Sequence, residues 1–139
     1  MAEPGEEDID LINAGGQFLA MSPGMSFFSS ADAFAMIRGG HVDVAVLGAL
    51  QVSERGDLAN WMLPERGVGN VGGAMDLAAG ARRVIVAMEH TDRNGSSKLV
   101  RECAYPPTAM ECVSLVVTDI AVVEIGPDGA VLTLSLIHI

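Results

Sequence analysis

The stretch of this sequence best suited to chemistry is Val71-Gly72-Gly73-Ala74-Met75-Asp76. Paired glycines let a ligand approach the backbone, because no Cβ stands in the way. If a helix starts just beyond them, the backbone N–H groups of Gly72, Gly73 and Ala74 can face an anion or a developing oxyanion. The same string, taken alone, also describes a plain tight turn. Glu89-His90 is a second candidate, because it follows an apolar strand and open α/β sheets gather ligands beyond the carboxyl ends of their strands. Adjacent residues on an extended chain point apart, so a structural role for the pair stands beside the acid/base one. Glu54, Asp57 and Asn60 fall at i, i+3 and i+6 and would share one helix face, but Gly56 between them weakens a helix. The rival reading is a solvated turn with an ion pair at Arg55. Cys103 and Cys112 are nine positions apart, with His41 and His90 elsewhere. Structural zinc sites pair their ligands two to four residues apart, so no metal is expected and the thiols read as buried or partly buried.

The elements that would position these residues follow from pattern and punctuation. Ser29 to Gly40 predicts a helix. Ser29 is the N-cap, Asp32 closes a capping box, Ala31, Phe34 and Ile37 share a face, and Gly39-Gly40 stops it. His41 to Leu47 and Arg82 to Met88 read as short apolar strands, both expected to be buried on both faces as in a parallel sheet. Gly72 to Gly80 predicts a short helix entered through the paired glycines. Val113–Val117, Ile120–Ile125 and Ala130–Thr133 predict strands, with Pro127-Asp128-Gly129 turning a hairpin. Phe27-Phe28 and the eight methionines read as core filler, although they could line an acyl pocket. The run Ala20 to Met25 reads as a turn, and Met1 to Asp10 as a solvated opening segment. Strands mixed with helices give an α/β class: an open, mostly parallel or mixed sheet with flanking helices, incomplete at its N-terminal side.

Composition removes several function classes. The chain has 139 residues, enough for one domain or a piece of a larger one. Lys plus Arg is 8 against Asp plus Glu at 18, a net charge of −10, which disfavours nucleic acid as a partner. Aromatic residues are only 4%, too few for base-stacking platforms. No apolar run reaches the roughly 18 residues of a membrane span. Two cysteines make no disulfide framework, and a reducing cytoplasm is expected. The residues alone thus lead to an acidic α/β domain with a glycine turn able to meet an anion or oxyanion.

Several longer strings carry a more specific message. Asp10-Leu11-Ile12-Asn13-Ala14-Gly15, Ser30 through His41, Gln51 through Met62, and Gly72-Gly73-Ala74-Met75-Asp76-Leu77 occur in this order. Together they resemble the family I CoA-transferases, in particular the B (beta) subunit of the 3-oxoacid and 3-oxoadipate type. The likeness runs from about Pro4 to about Leu132. It implies a ping-pong exchange in which a glutamate takes CoA from succinyl-CoA as a thioester and passes it to a 3-oxo acid. It implies no resident cofactor, coenzyme A thioesters being substrates, and an A (alpha) subunit for a partner in an A2B2 assembly. It also implies that the backbone at Gly73, beside Ala74, helps hold the thioester oxygen. Gly72, Gly73 and Ala74 are therefore the expected substrate-binding residues. The family's nucleophilic Glu lies in a Glu-Asn-Gly motif, which this sequence lacks, and none of Glu3, Glu6 and Glu7 stands in for it.

The chain is accordingly expected to be an N-terminally truncated B (beta) subunit, inactive alone and exposing apolar surface. Residues 1–133 are expected to form the partial domain. Leu134 to Ile139, which resembles a translated sequencing adapter, is expected to be a non-native tail, with a last edge strand as the other reading. Lys98 through Pro106 leans toward 3-oxoadipate as acceptor, whereas Asn60-Trp61-Met62-Leu63-Pro64 looks equally like the acetoacetate branch. Arg38, Arg82 and Arg83 are the cations considered for the CoA phosphates. A non-catalytic CoA- or acyl-binding module on the same scaffold is the first rival, and a sugar-phosphate isomerase the second.

Overall fold

The computed structural model describes residues 5–13, 15–67 and 69–135. A small hairpin comes first, β1 (Asp8–Ile12) pairing antiparallel with β2 (Phe18–Leu19). Helix α1 (Ser30–Arg38) begins as its sequence predicts. The Ser29 hydroxyl accepts from the Asp32 N–H, and the Asp32 carboxylate accepts from the Ser29 N–H. The chain then runs through β3 (Val44–Leu47), β4 (Gln51–Ser53), β5 (Leu58–Ala59), α2 (Ala74–Gly80), β6 (Arg83–Ala87), β7 (Leu99–Val100), β8 (Val113–Val117), β9 (Ala121–Gly126) and β10 (Gly129–Ser135).

The main sheet has the order β10-β9-β8-β6-β3. β3, β6 and β8 are parallel, and β8, β9 and β10 form an antiparallel meander. A second sheet has the order β5-β4-β7. Two helices and mixed sheets give the expected α/β class. One face of the main sheet, through Val84, Val86, Val116 and Val123, shares a core cluster with Val52 and Leu58 of the small sheet and Ala78 of α2.

The expectation that β3 and β6 are buried on both faces is wrong. Burial alternates along each, and Val44 and Val46 of β3 are 49% and 63% exposed. A run of β-branched residues suits a pleated surface whether or not its second face is covered, so the run could not reveal the open face. Phe27, Phe28, Met21 and Met25 are likewise exposed rather than core filler. Ala20–Met25 is a turn as read, with the Met25 N–H on the Ser22 carbonyl at 3.1 Å. β10 extends to Ser135, with Leu134 opposite Val122, while residues 136–139 of the expected tail lie outside the described residues.

Candidate functional site

The Gly72–Gly73 turn sits where α2 starts, against α1. Gly72 has φ +51°, the left-handed region that favours glycine. Gly73 is the cap of α2, and a β-carbon there would lie 2.9 Å from Cε1 of Phe34 on α1. Two different needs therefore fix two adjacent glycines: backbone conformation at the first, packing room at the second. The Ala74 N–H donates to the Val71 carbonyl at 3.2 Å, and the Gly72 N–H to Asn70 Oδ1 at 3.1 Å. Among the described residues the Gly73 N–H has no hydrogen-bond acceptor, so of these three amides it is the one left for a ligand.

Asn70 lines a cavity of about 380 Å³ together with Asn60, Trp61, Arg66 and Gly69. A second cavity, of about 690 Å³, shares Leu50, Leu63 and Arg66 with the first and adds Arg93 and Lys98. Glu65, Glu89 and Asp92 also line it. Asp92 accepts from the Asn94 and Ser96 N–H groups, which anchors its turn. Arg66, Arg93 and Lys98 form no ion pair among the described residues. Sequence reasoning misses this set because Arg66 comes from the connection between β5 and α2 whereas Arg93 and Lys98 come from the one between β6 and β7, and only the fold brings the two together.

The cations considered from the sequence are engaged elsewhere. Arg38 pairs with Asp76 at 2.6 Å, joining α1 to α2, and Arg82 pairs with Asp43 at 2.9 Å. Arg83 donates to the Ser114 hydroxyl at 3.3 Å. The Glu89-His90 pair splits. Glu89 lines the larger cavity, whereas His90 turns to the β8–β9 corner, its N–H on Asp119 at 2.7 Å and its ring Nδ1 3.3 Å from the Thr118 hydroxyl.

Glu54, Asp57 and Asn60 do not share a helix face, because their segment is a β-hairpin. The Gly56 N–H reaches the Ser53 carbonyl, the Ser53 N–H reaches the Asp57 carbonyl, and Gly56 has φ +89°. A turn followed by a left-handed glycine is a common three-residue hairpin connection. Glu54 lies 3.8 Å from Arg101 at the surface. The Asp57 carboxylate accepts from the Ser53 hydroxyl at 2.7 Å and the Glu111 N–H at 3.0 Å, which is a structural strut. Asn60 alone of the three reaches the cavity beside the glycine turn.

Among the described residues no cluster of His, Cys, Asp and Glu could hold a metal ion. Burial pushes the Cys103 thiol up, with help from the Asp57 charge, and burial pushes Cys112 up from the ordinary 9.0 to about 11. The Cys112 thiol therefore stays neutral in the fold after an unfolded thiol has ionised. Its contribution to stability is intact below pH 9 and is lost as pH rises through about 11. Alkylation of Cys112 by iodoacetamide at pH 8 should run about tenfold or more slower than that of a free thiol, since the thiolate reacts. Peptide mass spectrometry reads the rate, and a rate equal to that in denaturant would show an open thiol.

Similarity to solved structures defines the class of fold. The chain superposes on an acyl-CoA transferase apoenzyme of Escherichia coli O157:H7 with a TM-score of 0.69 at 19% identity, covering 87% of this chain and 27% of that one. The profile of the coenzyme A transferase family matches residues 1–138, and the chain belongs to that family. It is 58% identical over 127 residues to the B (beta) subunit of 3-oxoadipate CoA-transferase from Pseudomonas putida, covering 91% of this chain and 60% of that protein. It is 54% identical over 120 residues to the corresponding subunit of succinyl-CoA:3-ketoacid coenzyme A transferase from Helicobacter pylori, covering 86% and 58%. The chain thus spans about 60% of the length of these relatives. No helix among the described residues is long and apolar enough to cross a membrane.

Proposed function

We propose that this chain is part of a CoA-transferase B (beta) subunit that acts with an A (alpha) subunit in the cytoplasm, in an A2B2 assembly, moving CoA from succinyl-CoA to a 3-oxo acid. The observation that carries the reading is the Gly73 N–H, without an acceptor among the described residues, in a turn whose neighbour Asn70 lines a cavity that shares Leu50, Leu63 and Arg66 with the one lined by Arg93 and Lys98. A CoA thioester has that layout: a reacting carbonyl at one end, a thin arm, and phosphates at the other. Arg66, Arg93 and Lys98 are the cations proposed to meet the phosphates of a polyanionic substrate, with Glu65, Glu89 and Asp92 in the same lining.

In the proposed reaction a glutamate carboxylate attacks the donor's thioester carbonyl, and the CoA thiolate leaves with the bonding pair. The thiolate then attacks the glutamyl carbonyl of the mixed anhydride and releases succinate, leaving an enzyme glutamyl–CoA thioester. The 3-oxo acid carboxylate repeats the sequence in reverse and departs as its CoA thioester. Each attack places negative charge on a carbonyl oxygen. The role proposed for Gly72, Gly73 and Ala74 is to bring the Gly73 N–H against that oxygen. The nucleophile is proposed to be a glutamate of the whole enzyme outside these 139 residues, since no Glu-Asn-Gly occurs among them. The proposed acceptor is 3-oxoadipate ahead of acetoacetate.

The test uses the natural reading frame that holds these residues, produced with its A-type partner. Incubated with succinyl-CoA and either acid, it should yield the new acyl-CoA by mass spectrometry, and borohydride should trap the glutamyl adduct. A folded complex that binds CoA yet gives neither product nor adduct would instead favour a non-catalytic CoA-binding module.

A further inference from the structure

Thr108 is a buried polar residue, 8% exposed, in the turn that follows Pro107. Its hydroxyl accepts from the Asn60 N–H at 3.1 Å and donates to Asn60 Oδ1 at 2.7 Å. Asn60 Nδ2 donates to the Gly48 carbonyl just beyond β3, at 3.1 Å. Backbone and both ends of the carboxamide are thereby fixed, although Asn60 follows a strand of only two residues.

The next residue passes this placement on. The Trp61 carbonyl accepts from the Asn70 N–H at 3.1 Å, and the indole N–H reaches the Pro107 carbonyl at 3.4 Å. Gly69 lies close against Trp61, since a β-carbon there would come 2.7 Å from the ring atom Cε3. Asn70 in turn holds the Gly72 N–H through its Oδ1. Polar contacts and one covalent step therefore link Thr108 through Asn60, its chain neighbour Trp61 and Asn70 to the Gly72 N–H, one peptide before that of Gly73.

We infer that Thr108 and Asn60 are positioning residues for the Gly72–Gly73 turn, setting where the Gly73 N–H stands relative to a reacting thioester oxygen. The inference rests on the reading of that turn given under Proposed function. Its physical basis is the steep dependence of catalysis on placement, where a displacement of about 1 Å far from the chemistry can cost about a hundredfold. Thr108 lines neither cavity and touches neither substrate nor reacting atoms in this scheme, and Asn60, which lines the smaller cavity, is assigned no contact with the reacting atoms. They act through Asn70.

The experiment compares Thr108→Val, Thr108→Ser and Asn70→Ala in the full-length protein complexed with its A-type partner. Thr108→Val keeps the shape and removes both hydroxyl bonds. It should lower kcat about 10- to 30-fold with KM for succinyl-CoA within about twofold, the signature of an interaction felt mainly in the transition state. Thr108→Ser should restore kcat to within about threefold, because the hydroxyl returns. Asn70→Ala should lower kcat similarly. The double variant Thr108→Val/Asn70→Ala should lose less than the product of the single losses, as coupled groups do.

Wild-type kcat in a folded Thr108→Val complex, equal losses in the Val and Ser variants, or fully multiplicative losses would overturn the inference. If Thr108→Val does not fold, Asn70→Ala decides: an unchanged kcat overturns the inference, and a lowered kcat at unchanged KM supports it. A wild-type complex that binds CoA without transferring it sinks the transferase reading and this inference with it. An active wild type with unaffected variants sinks the inference alone.

Discussion

Valine in place of Gly73 is expected to lower kcat for CoA transfer by about 100- to 1000-fold, the usual size of losing one oxyanion donor. A single β-carbon at this position already meets the Phe34 ring at 2.9 and 3.0 Å. The ring is the far end of a side chain, so alanine can be met by a small ring movement and should cost about tenfold or less. Two γ-carbons cannot be met that way, and residue 73 itself must move, taking its N–H with it. Combining Gly73→Ala with Phe34→Leu should recover most of the alanine loss if the ring is the obstacle. The check is kcat in the full-length complex, with thermal unfolding to show that each variant is folded. A Gly73→Val enzyme with wild-type kcat would remove the turn from the reaction.

This turn is legible in the sequence because its signals are local. Gly72-Gly73 ahead of Ala74, Ser29 ahead of Asp32, and Pro127-Asp128-Gly129 each declare a start or a turn through residues a few positions apart. The ordered motifs around them carry the family. What cannot be read depends on distance along the chain. Asn60 meets Thr108 from 48 positions away, and the Asp57 carboxylate meets the Glu111 N–H from 54 away. No periodicity encodes such a pair. Arg66 stands in the β5–α2 connection and Arg93 and Lys98 in the β6–β7 connection, whereas Arg38 and Arg82, which look available in the sequence, are held by Asp76 and Asp43. Gly56 stands out in the sequence as a helix breaker. The structure gives it a different value, the hairpin corner it makes possible.

That corner predicts the largest stability effect. Gly56→Ala is expected to cost about 2–5 kcal/mol, a large part of the roughly 5–15 kcal/mol that holds a domain folded. Two costs add. The first is conformational: at φ +89° an L side chain is strained by about 1–2 kcal/mol. The second is steric: the new methyl would stand 2.6 Å from the Val113 carbonyl oxygen. That oxygen belongs to the backbone of β8, which is paired with β6 on one side and β9 on the other and cannot swing aside as a side chain can. Gly56 also cannot retreat, because its carbonyl accepts from the Cys112 and Val113 N–H groups, both at 3.0 Å. Overpacking at such a rigid contact typically adds about 1–3 kcal/mol. Gly95 supplies the control, with φ +82° and nothing within 4 Å of an added β-carbon. Gly95→Ala should therefore carry the conformational cost alone, about 1–2 kcal/mol. Chemical denaturation of the two full-length variants separates the two costs. Equal losses would mean that the contact of the hairpin with β8 yields, and that the corner between the two sheets is softer than its hydrogen bonds imply.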